Sequence, residues 1–170
     1  MINTLYFSLG SNIGRRNYNL KRALELMDQC GIHITKVSKI YETEPVSLFE
    51  QKYFFNICAE GETEFPPEKA LKICKSIEEQ MGREMAKLKA PGYYMPRIID
   101  VDILLFAQKI IRKRNLIIPH EKMHLRRFVL EPLNEIDPYI NHPVLHKSIK
   151  ELLELCADKS EVILSKVPLK

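Results

Sequence analysis

The run Arg97-Ile98-Ile99-Asp100-Val101-Asp102-Ile103-Leu104-Leu105-Phe106 sets two aspartates inside an otherwise apolar stretch. Three isoleucines, a valine, two leucines and a phenylalanine give it the composition of a strand. Asp is depleted in strands and is rarely buried without a partner. Side chains alternate along a strand, so Asp100 and Asp102 share one face, roughly 7 Å apart at Cα. Carboxylates held that close repel unless positive charge lies between them. A divalent cation supplies that charge, and Mg²⁺ is commonly held by one or two carboxylates together with substrate phosphates. A strand end whose acid pair faces water is the competing reading. The apolar setting and the adjacent Arg97 favour the cation site.

A chain of 170 residues is long enough for a self-sufficient core, and one domain over residues 1–170 is expected. Apolar residues at 45% and charged residues at 28% match a soluble globular protein. The net charge of +4 favours anionic ligands, but the chain lacks the basic blocks of a dedicated nucleic-acid binder. The start, Met1-Ile2-Asn3-Thr4-Leu5, has no basic segment followed by an apolar one, so no secretion signal is read there. No run reaches the about 18 apolar residues of a membrane span. Cys30, Cys58, Cys74 and Cys156 form no Cys-x-x-Cys pair, and reduced, packed thiols are expected. A cytoplasmic protein without membrane or nucleic-acid partners follows.

Residues 5–9 read as a first strand, closed by Gly10-Ser11-Asn12-Ile13-Gly14, whose glycines mark a turn. Neither phosphate-loop pattern is present, so this is a tight connection bordering a site. Asn17 is the expected cap of a helix with Leu20, Ala23, Leu24 and Met27 on one face, stopped at Gly31. Alternation over residues 32–41 predicts a second strand. Thr43-Glu44-Pro45-Val46 then opens a loop, and residues 53–59 form a third strand. Asn56 lies within it, either as a ligand contact or as a structural amide at a strand irregularity.

Pro66-Pro67 starts a second helix, with Ala70, Leu71, Cys74, Ile77 and Met81 as its buried stripe and Gly82 as its end. Glu78 and Arg83 stand near that end. Residues 84–96, carrying Lys87, Lys89, Tyr93 and Tyr94, show no periodicity and predict a substrate-covering loop. Residues 109–115 read as a turn with a short strand, and residues 129–138 as a compact apolar segment. Ser148 with Glu151 predicts a capping box for a last helix bearing Ile149, Leu152, Leu153 and Cys156, and residues 162–164 a final strand. The order β-α-β-β-α-β predicts an α+β fold: a ferredoxin-like βαββαβ core with a mostly antiparallel sheet flanked by helices.

Two metal readings compete. One is the Asp100/Asp102 pair. The other is His120-Glu121-x-x-His124, which matches a zinc-hydrolase motif but needs a helix to put both imidazoles on one face. Its short segment, followed at once by Arg126 and Arg127, counts against zinc. His142 and His146, separated by Pro143, read as a surface turn. Arg83, Arg97 and Arg126 each border the loop or the Asp strand, and the guanidinium fork suits phosphate oxygens. Two acids, several arginines and a covering loop are the parts of a phosphoryl transferase using a nucleotide. A non-catalytic ferredoxin-like module holding a ligand or RNA is the alternative, with exposed aromatics on its central strands as its mark.

The run from Pro96 to Phe106 resembles the signature of the 6-hydroxymethyl-7,8-dihydropterin pyrophosphokinases of folate biosynthesis. Leu9-Gly10-Ser11-Asn12, Thr43-Glu44-Pro45, Phe55-Asn56, Glu78 with Gly82-Arg83, Ile118-Pro119-His120, and the Arg126-x-Phe128-Val129-Leu130-x-Pro132-Leu133 pattern are similar as well. The matches run in order from residue 5 to about residue 138. The resemblance implies a monomeric enzyme that transfers the β,γ-diphosphate of ATP to the pterin hydroxymethyl group and releases AMP. It implies two Mg²⁺ ions on Asp100 and Asp102, with Arg83 and Arg97 also in the catalytic set. It implies ATP contacts from Glu78, Arg83, Arg97, Ile103, His120 and Arg126. The pterin would lie between Phe54 and Phe128, read by Asn56 and by the backbone around Thr43, Pro45 and Val46. The chain departs from the family in having no Trp in residues 84–96, where Tyr93 or Tyr94 stands instead. Lys87 or Lys89 is the nearest substitute for an Arg common there, and Glu121 replaces an aromatic.

Overall fold

Strict alternation along the first strand, β1 (Asn3–Ser11), decides the layering. Leu5, Phe7 and Leu9 are buried in one core, while Tyr6 is buried in a second core on the opposite face. The computed structural model describes residues 1–45, 52–82 and 98–169. After β1 come α1 (Arg16–Gln29), β2 (His33–Val37), β3 (Tyr41–Thr43), β4 (Phe54–Thr63) and α2 (Pro67–Gln80). Then follow β5 (Asp100–Phe106), β6 (Ile111–Lys113), β7 (Leu116–Ile118), α3 (Arg127–Ile136), α4 (Ile149–Leu155) and β8 (Val162–Leu164). The main sheet runs β5-β1-β4-β3-β8, with β2 also on β4, and each pairing is antiparallel. This is the expected α+β arrangement.

The first core packs Leu20, Ala23 and Met27 of α1 and Ala70, Cys74 and Ile77 of α2 against the sheet. The second packs Leu130 and Leu133 of α3 and Ile149 and Leu152 of α4 against Tyr6, Cys58, Leu104 and Leu105. Phe7 and Phe106 are fully buried, so truncating either to Ala would cost about 3–5 kcal/mol.

One irregularity matters for the site. The β1–β5 register shifts between Tyr6, opposite Leu105, and Phe7, opposite Ile103, so Leu104 is an extra residue. Such a bulge re-aims the side chains on either side of it. Val101 and Ile103 enter the first core, whereas Leu104 and Leu105 both enter the second. Asp100 and Asp102, alternating with Val101 and Ile103, therefore face the α3 side.

Several expectations are corrected. The strand predicted over residues 32–41 is two strands, β2 and β3, separated at Ser38, whose N–H donates to the Cys58 carbonyl and whose Oγ accepts from the Cys58 N–H. Asn17 is not the cap of α1: Arg15 stands there with no side-chain bond, and Asn17 is inside the first turn. Asn19 instead ties the preceding turn, donating to Ser11 Oγ at 3.1 Å and to the Ile13 carbonyl at 2.9 Å. The apolar segment 129–138 belongs largely to α3, which carries Pro132 inside it. The capping box of α4 forms as expected: Ser148 Oγ accepts from the Glu151 N–H at 3.2 Å, and the Ser148 N–H donates to Glu151 Oε2 at 2.7 Å. All four cysteines are free, Cys30 exposed and the other three buried; burial pushes the Cys74 thiol up to about 12.

A polar network closes the end of the second core. The Tyr6 hydroxyl lies 2.7 Å from Asp137 Oδ2 and 2.9 Å from Glu60 Oε2. Lys36 Nζ donates to Glu60 Oε2 at 2.8 Å, and the Thr35 hydroxyl to Glu60 Oε1 at 2.7 Å. Burial alone would raise the Glu60 pKa, but bonds from Lys36, Thr35 and Tyr6 outweigh it and hold the carboxyl below its ordinary value of 4.5. A group lowered in the folded state stabilises above its unfolded value, and that contribution is lost as pH falls through the folded one. Glu60→Gln is expected to lower stability at pH 7 by about 1–3 kcal/mol. It is also expected to reduce the further loss on acidification below 4.5. Urea unfolding midpoints at the two pH values check this, and an undiminished acid loss in the variant would count against it.

Candidate active site

The acid pair belongs to a row that crosses the sheet. Asp102 stands opposite Ser8 and Asp100 opposite Gly10 in β1, and Gly10 in turn faces Asn56 in β4. Asn56 then faces Tyr41 in β3, and its neighbour Phe54 pairs with Thr43. Gly10 is thus a strand residue rather than the turn residue expected. A Cβ there would come within 2.6 Å of Asn56 Oδ1 and 3.4 Å of Phe54 Cδ1. The missing side chain lets the Asn56 amide lie flat on the neighbouring strand. Asn56 is buried, and its Nδ2 donates to Thr43 Oγ1 at 2.5 Å. The amide has a structural partner in a strand of regular register, and it also lines a cavity.

That first cavity, about 170 Å³, lies over the row. Gly10, Thr43, Asn56 and Phe54 bound it from the sheet, and Phe128 from α3. Asp100, Asp102, Glu78 and Glu44 add carboxylates. Phe54 and Phe128 come from β4 and α3, elements on different layers, so two aromatic side chains border one space. Pro45 is half-buried beside Glu44 without lining it.

A second cavity, about 390 Å³, opens on the other side of Asp102. Ile103, Leu71 and Leu116 supply its apolar wall, and His120, Arg114, Lys122 and Arg126 its basic groups. Lys75, Asp102 and Arg126 border both cavities. Arg126 also holds its guanidinium 5.6 Å from the Phe128 ring centroid, a cation–π distance.

Glu78, the last buried residue of α2, reaches across to β5. It is 2% exposed, and its Oε1 accepts the Val101 N–H at 2.9 Å. Lys75 Nζ stands 3.2 Å from Glu78 Oε2. The residue between the two aspartates is thereby tied to α2. His120 is held by its own N–H, which donates to the Leu104 carbonyl at 2.8 Å. Its Nδ1 accepts from the Lys122 N–H at 3.1 Å, which puts the proton of the neutral ring on Nε2. Burial pushes the His120 pKa below the ordinary imidazole value, with Asp102 pulling the other way.

The zinc reading fails on secondary structure. His120 lies in a turn, and Met123–Leu125 is a single 3₁₀ turn, so no helix aligns His120 and His124 on one face. His124 instead meets His142 edge to face at 5.9 Å between ring centroids. His142, expected on a surface turn, is buried, with its Nδ1 accepting from the Val144 and Leu145 N–H groups. Among the described residues no three His, Cys, Asp or Glu side chains gather to hold a metal.

The expected residues that the structure brings together are Asp100, Asp102, Glu78, Ile103, His120, Arg126, Thr43, Phe54, Asn56 and Phe128. Arg83, Arg97, Val46 and the loop 84–96 lie outside the described residues. Sequence reasoning missed Ser8, Glu44, Arg114, Lys122 and Lys75. For Lys75 a signal existed, since it stands three residues before Glu78 on a helix and so on the same side.

A family model described as 7,8-dihydro-6-hydroxymethylpterin-pyrophosphokinase (HPPK) matches residues 6–138. The 2-amino-4-hydroxy-6-hydroxymethyldihydropteridine pyrophosphokinase of Bacillus subtilis is 42% identical over 137 residues, covering 80% of this chain and 79% of that protein. Its namesake in Aquifex aeolicus is 34% identical over 148 residues, covering 87% and 89%. The folate synthesis bifunctional protein of Arabidopsis thaliana is 44% identical over 129 residues, or 76% of this chain; the chain spans only 26% of that longer protein. It spans 20% of the folic acid synthesis protein fol1 of Schizosaccharomyces pombe. Among solved structures, Plasmodium falciparum HPPK-DHPS with pteroate has a TM-score of 0.74 at 20% identity, covering 91% of this chain and 42% of that one, a likeness of fold alone. With the family model spanning most of its length and two relatives matched over 79% and 89% of theirs, the chain belongs to the 7,8-dihydro-6-hydroxymethylpterin-pyrophosphokinase family.

Proposed function

We propose that this chain transfers the β,γ-diphosphate of ATP to the hydroxymethyl group of 6-hydroxymethyl-7,8-dihydropterin, releasing AMP, as a step of folate biosynthesis. The observation that carries this reading is the pair of cavities meeting at Asp102, one lined by two aromatic side chains and an amide, the other by basic groups. The pterin occupies the first and ATP the second. Phe54 and Phe128 take the faces of the pterin ring, and Asn56 and the backbone from Thr43 to Val46 read its amide-like edge. His120, Arg126 and Ile103 serve the nucleotide side. Glu78, given to ATP by the family resemblance together with Arg83 and Arg97, lines the first cavity and reaches the nucleotide side only through its neighbour Lys75.

In the reaction the pterin hydroxyl oxygen forms a bond to the β-phosphorus of ATP. The bond from that phosphorus to the oxygen bridging the α- and β-phosphates breaks, its electron pair leaving with AMP, and the hydroxyl proton is released. The acid pair fits Mg²⁺: two carboxylates on one strand face, beside a basic cavity, without an all-protein cage among the described residues. Two such ions on Asp100 and Asp102 would supply charge neutralisation between phosphates and carboxylates and would acidify the attacking hydroxyl. Everything else is positioning by the chain, which brings hydroxyl and phosphorus together across the Asp102 wall.

No helix among the described residues is long and apolar enough to cross a membrane. The reading is completed by a cytoplasmic monomer acting as one domain on soluble substrates.

Asp102→Ala is expected to lower AMP formation by at least about 10²–10³-fold, the scale of losing a charge-stabilising group. Its unfolding midpoint should stay at or above that of the parent chain, because carboxylate repulsion is relieved. A coupled AMP assay with urea denaturation checks both, and normal turnover would sink the metal assignment. Gly10→Ala pushes on Asn56 and is expected to weaken pterin binding about tenfold, or about 1.4 kcal/mol. Affinity for an ATP analogue should hold. Equal pterin affinity in calorimetry would remove Asn56 from the proposed pocket.

A further inference from the structure

No motif marks Lys75, and a lysine on a helix face is ordinarily just solvated. Its position in the fold is more specific than that. It projects from α2 to the place where the two cavities meet, and Arg126 reaches the same place from the segment entering α3. Asp102 of β5 lies at that junction too.

The charges on the two sides differ in sign. Among the described residues, the second cavity is lined by the cations Lys75, Arg114, Lys122 and Arg126, with His120 beside them, against Asp102 and Glu121. The first is lined by Lys75 and Arg126 against four carboxylates, Glu44, Glu78, Asp100 and Asp102. With Asp100 and Asp102 given to Mg²⁺ as proposed above, a diphosphate crossing from the basic side still meets repulsion from the carboxylates of Glu44 and Glu78. Cations at the crossing offset it there, and Lys75 is one of the two described side chains that can do so.

The local bonding leaves Lys75 able to move. Its side chain is 44% exposed, whereas Glu78 is 2% exposed. Glu78 uses Oε1 for the Val101 N–H and turns Oε2 toward Lys75, so the ammonium can leave Oε2 while the bond from α2 to β5 persists. A compact ammonium on a four-carbon stem suits a target that shifts during transfer better than a fixed guanidinium fork does.

Resting on the diphosphate-transfer reading above, we propose that Lys75 is a catalytic residue: its ammonium passes from Glu78 to the oxygens of the diphosphate as that group crosses between the cavities. It makes and breaks no covalent bond; it stabilises charge on a group transferred as already described.

Steady-state kinetics with ATP, the pterin and Mg²⁺ test this in the full chain. Lys75→Met is expected to lower kcat about a hundredfold while leaving KM for the pterin within about twofold. Lys75→Arg, which keeps the charge, is expected to recover most of that loss. If Lys75 merely neutralised Glu78, the double variant Lys75→Met/Glu78→Gln would regain the rate of Glu78→Gln alone. The proposal expects it to stay about a hundredfold below that single variant. A readout without turnover is the affinity for inorganic tripolyphosphate by calorimetry, expected to fall about tenfold in Lys75→Met. A kcat for Lys75→Met within threefold of the parent, recovery in the double variant, or unchanged tripolyphosphate affinity would each overturn the assignment. Failure of the underlying reading looks different: the parent chain itself would form no AMP.

Discussion

The bond from the Val101 N–H to the buried carboxylate of Glu78 fixes where the acid pair stands. β5 is an edge of the sheet, and an edge strand presents backbone groups that no further strand will take. Here one of them is taken by a side chain of α2. The strand segment carrying Asp100 and Asp102 is therefore held between β1 on one side and a helix on the other. Removing a hydrogen-bond partner of a buried group costs more than the bond itself contributes, so this contact resists displacement of the strand. Without it the two cavities would lose their shared wall.

The rest of the site follows from short-range consequences of that placement. The bulge at Leu104 lets the same strand put two leucines into the α3–α4 core immediately after pointing two aspartates along the α3 side. Gly10, opposite Asp100, leaves room for Asn56, and Asn56 is in turn secured to Thr43. Four strands thus contribute to one row, and each supplies what the next needs: charge, space, an amide, a hydroxyl. The change in charge sign from one cavity to the other is produced by side chains from opposite layers, with Lys75 on α2 and Arg126 before α3 at the boundary.

Much of this was legible in the chain itself because it rests on local rules. Apolar, strand-forming composition exposes β5, a short apolar run before a glycine turn exposes β1, period-three-and-four spacing exposes α1 and α2, and Ser148 with Glu151 announces the start of α4. Asp100 and Asp102 stand out because they violate the strand composition around them. What was hidden depends on tertiary context. The apolar segment 129–138 gives no helix signal because Pro132 disfavours a helix interior, and tertiary packing of Val129, Leu130 and Leu133 overrides that local preference in α3. The role of Gly10 depends on a partner 46 positions away, with which it pairs across β1 and β4. His120-Glu121-x-x-His124 matches a zinc motif in letters, but its backbone is a turn, so spacing alone misleads. Asn17 looks like a cap, yet the turn before α1 is tied by Asn19.

The central claim is that ATP and the pterin lie on either side of the acid pair at the same time, joined by Mg²⁺. Calorimetric titration of the chain with a non-hydrolysable ATP analogue and with the pterin, singly and together, with and without Mg²⁺, tests it most directly. The account predicts one site for each ligand, simultaneous occupancy, and analogue affinity at least about tenfold weaker without Mg²⁺. Mutual displacement of the two ligands, or analogue binding indifferent to Mg²⁺, would contradict it.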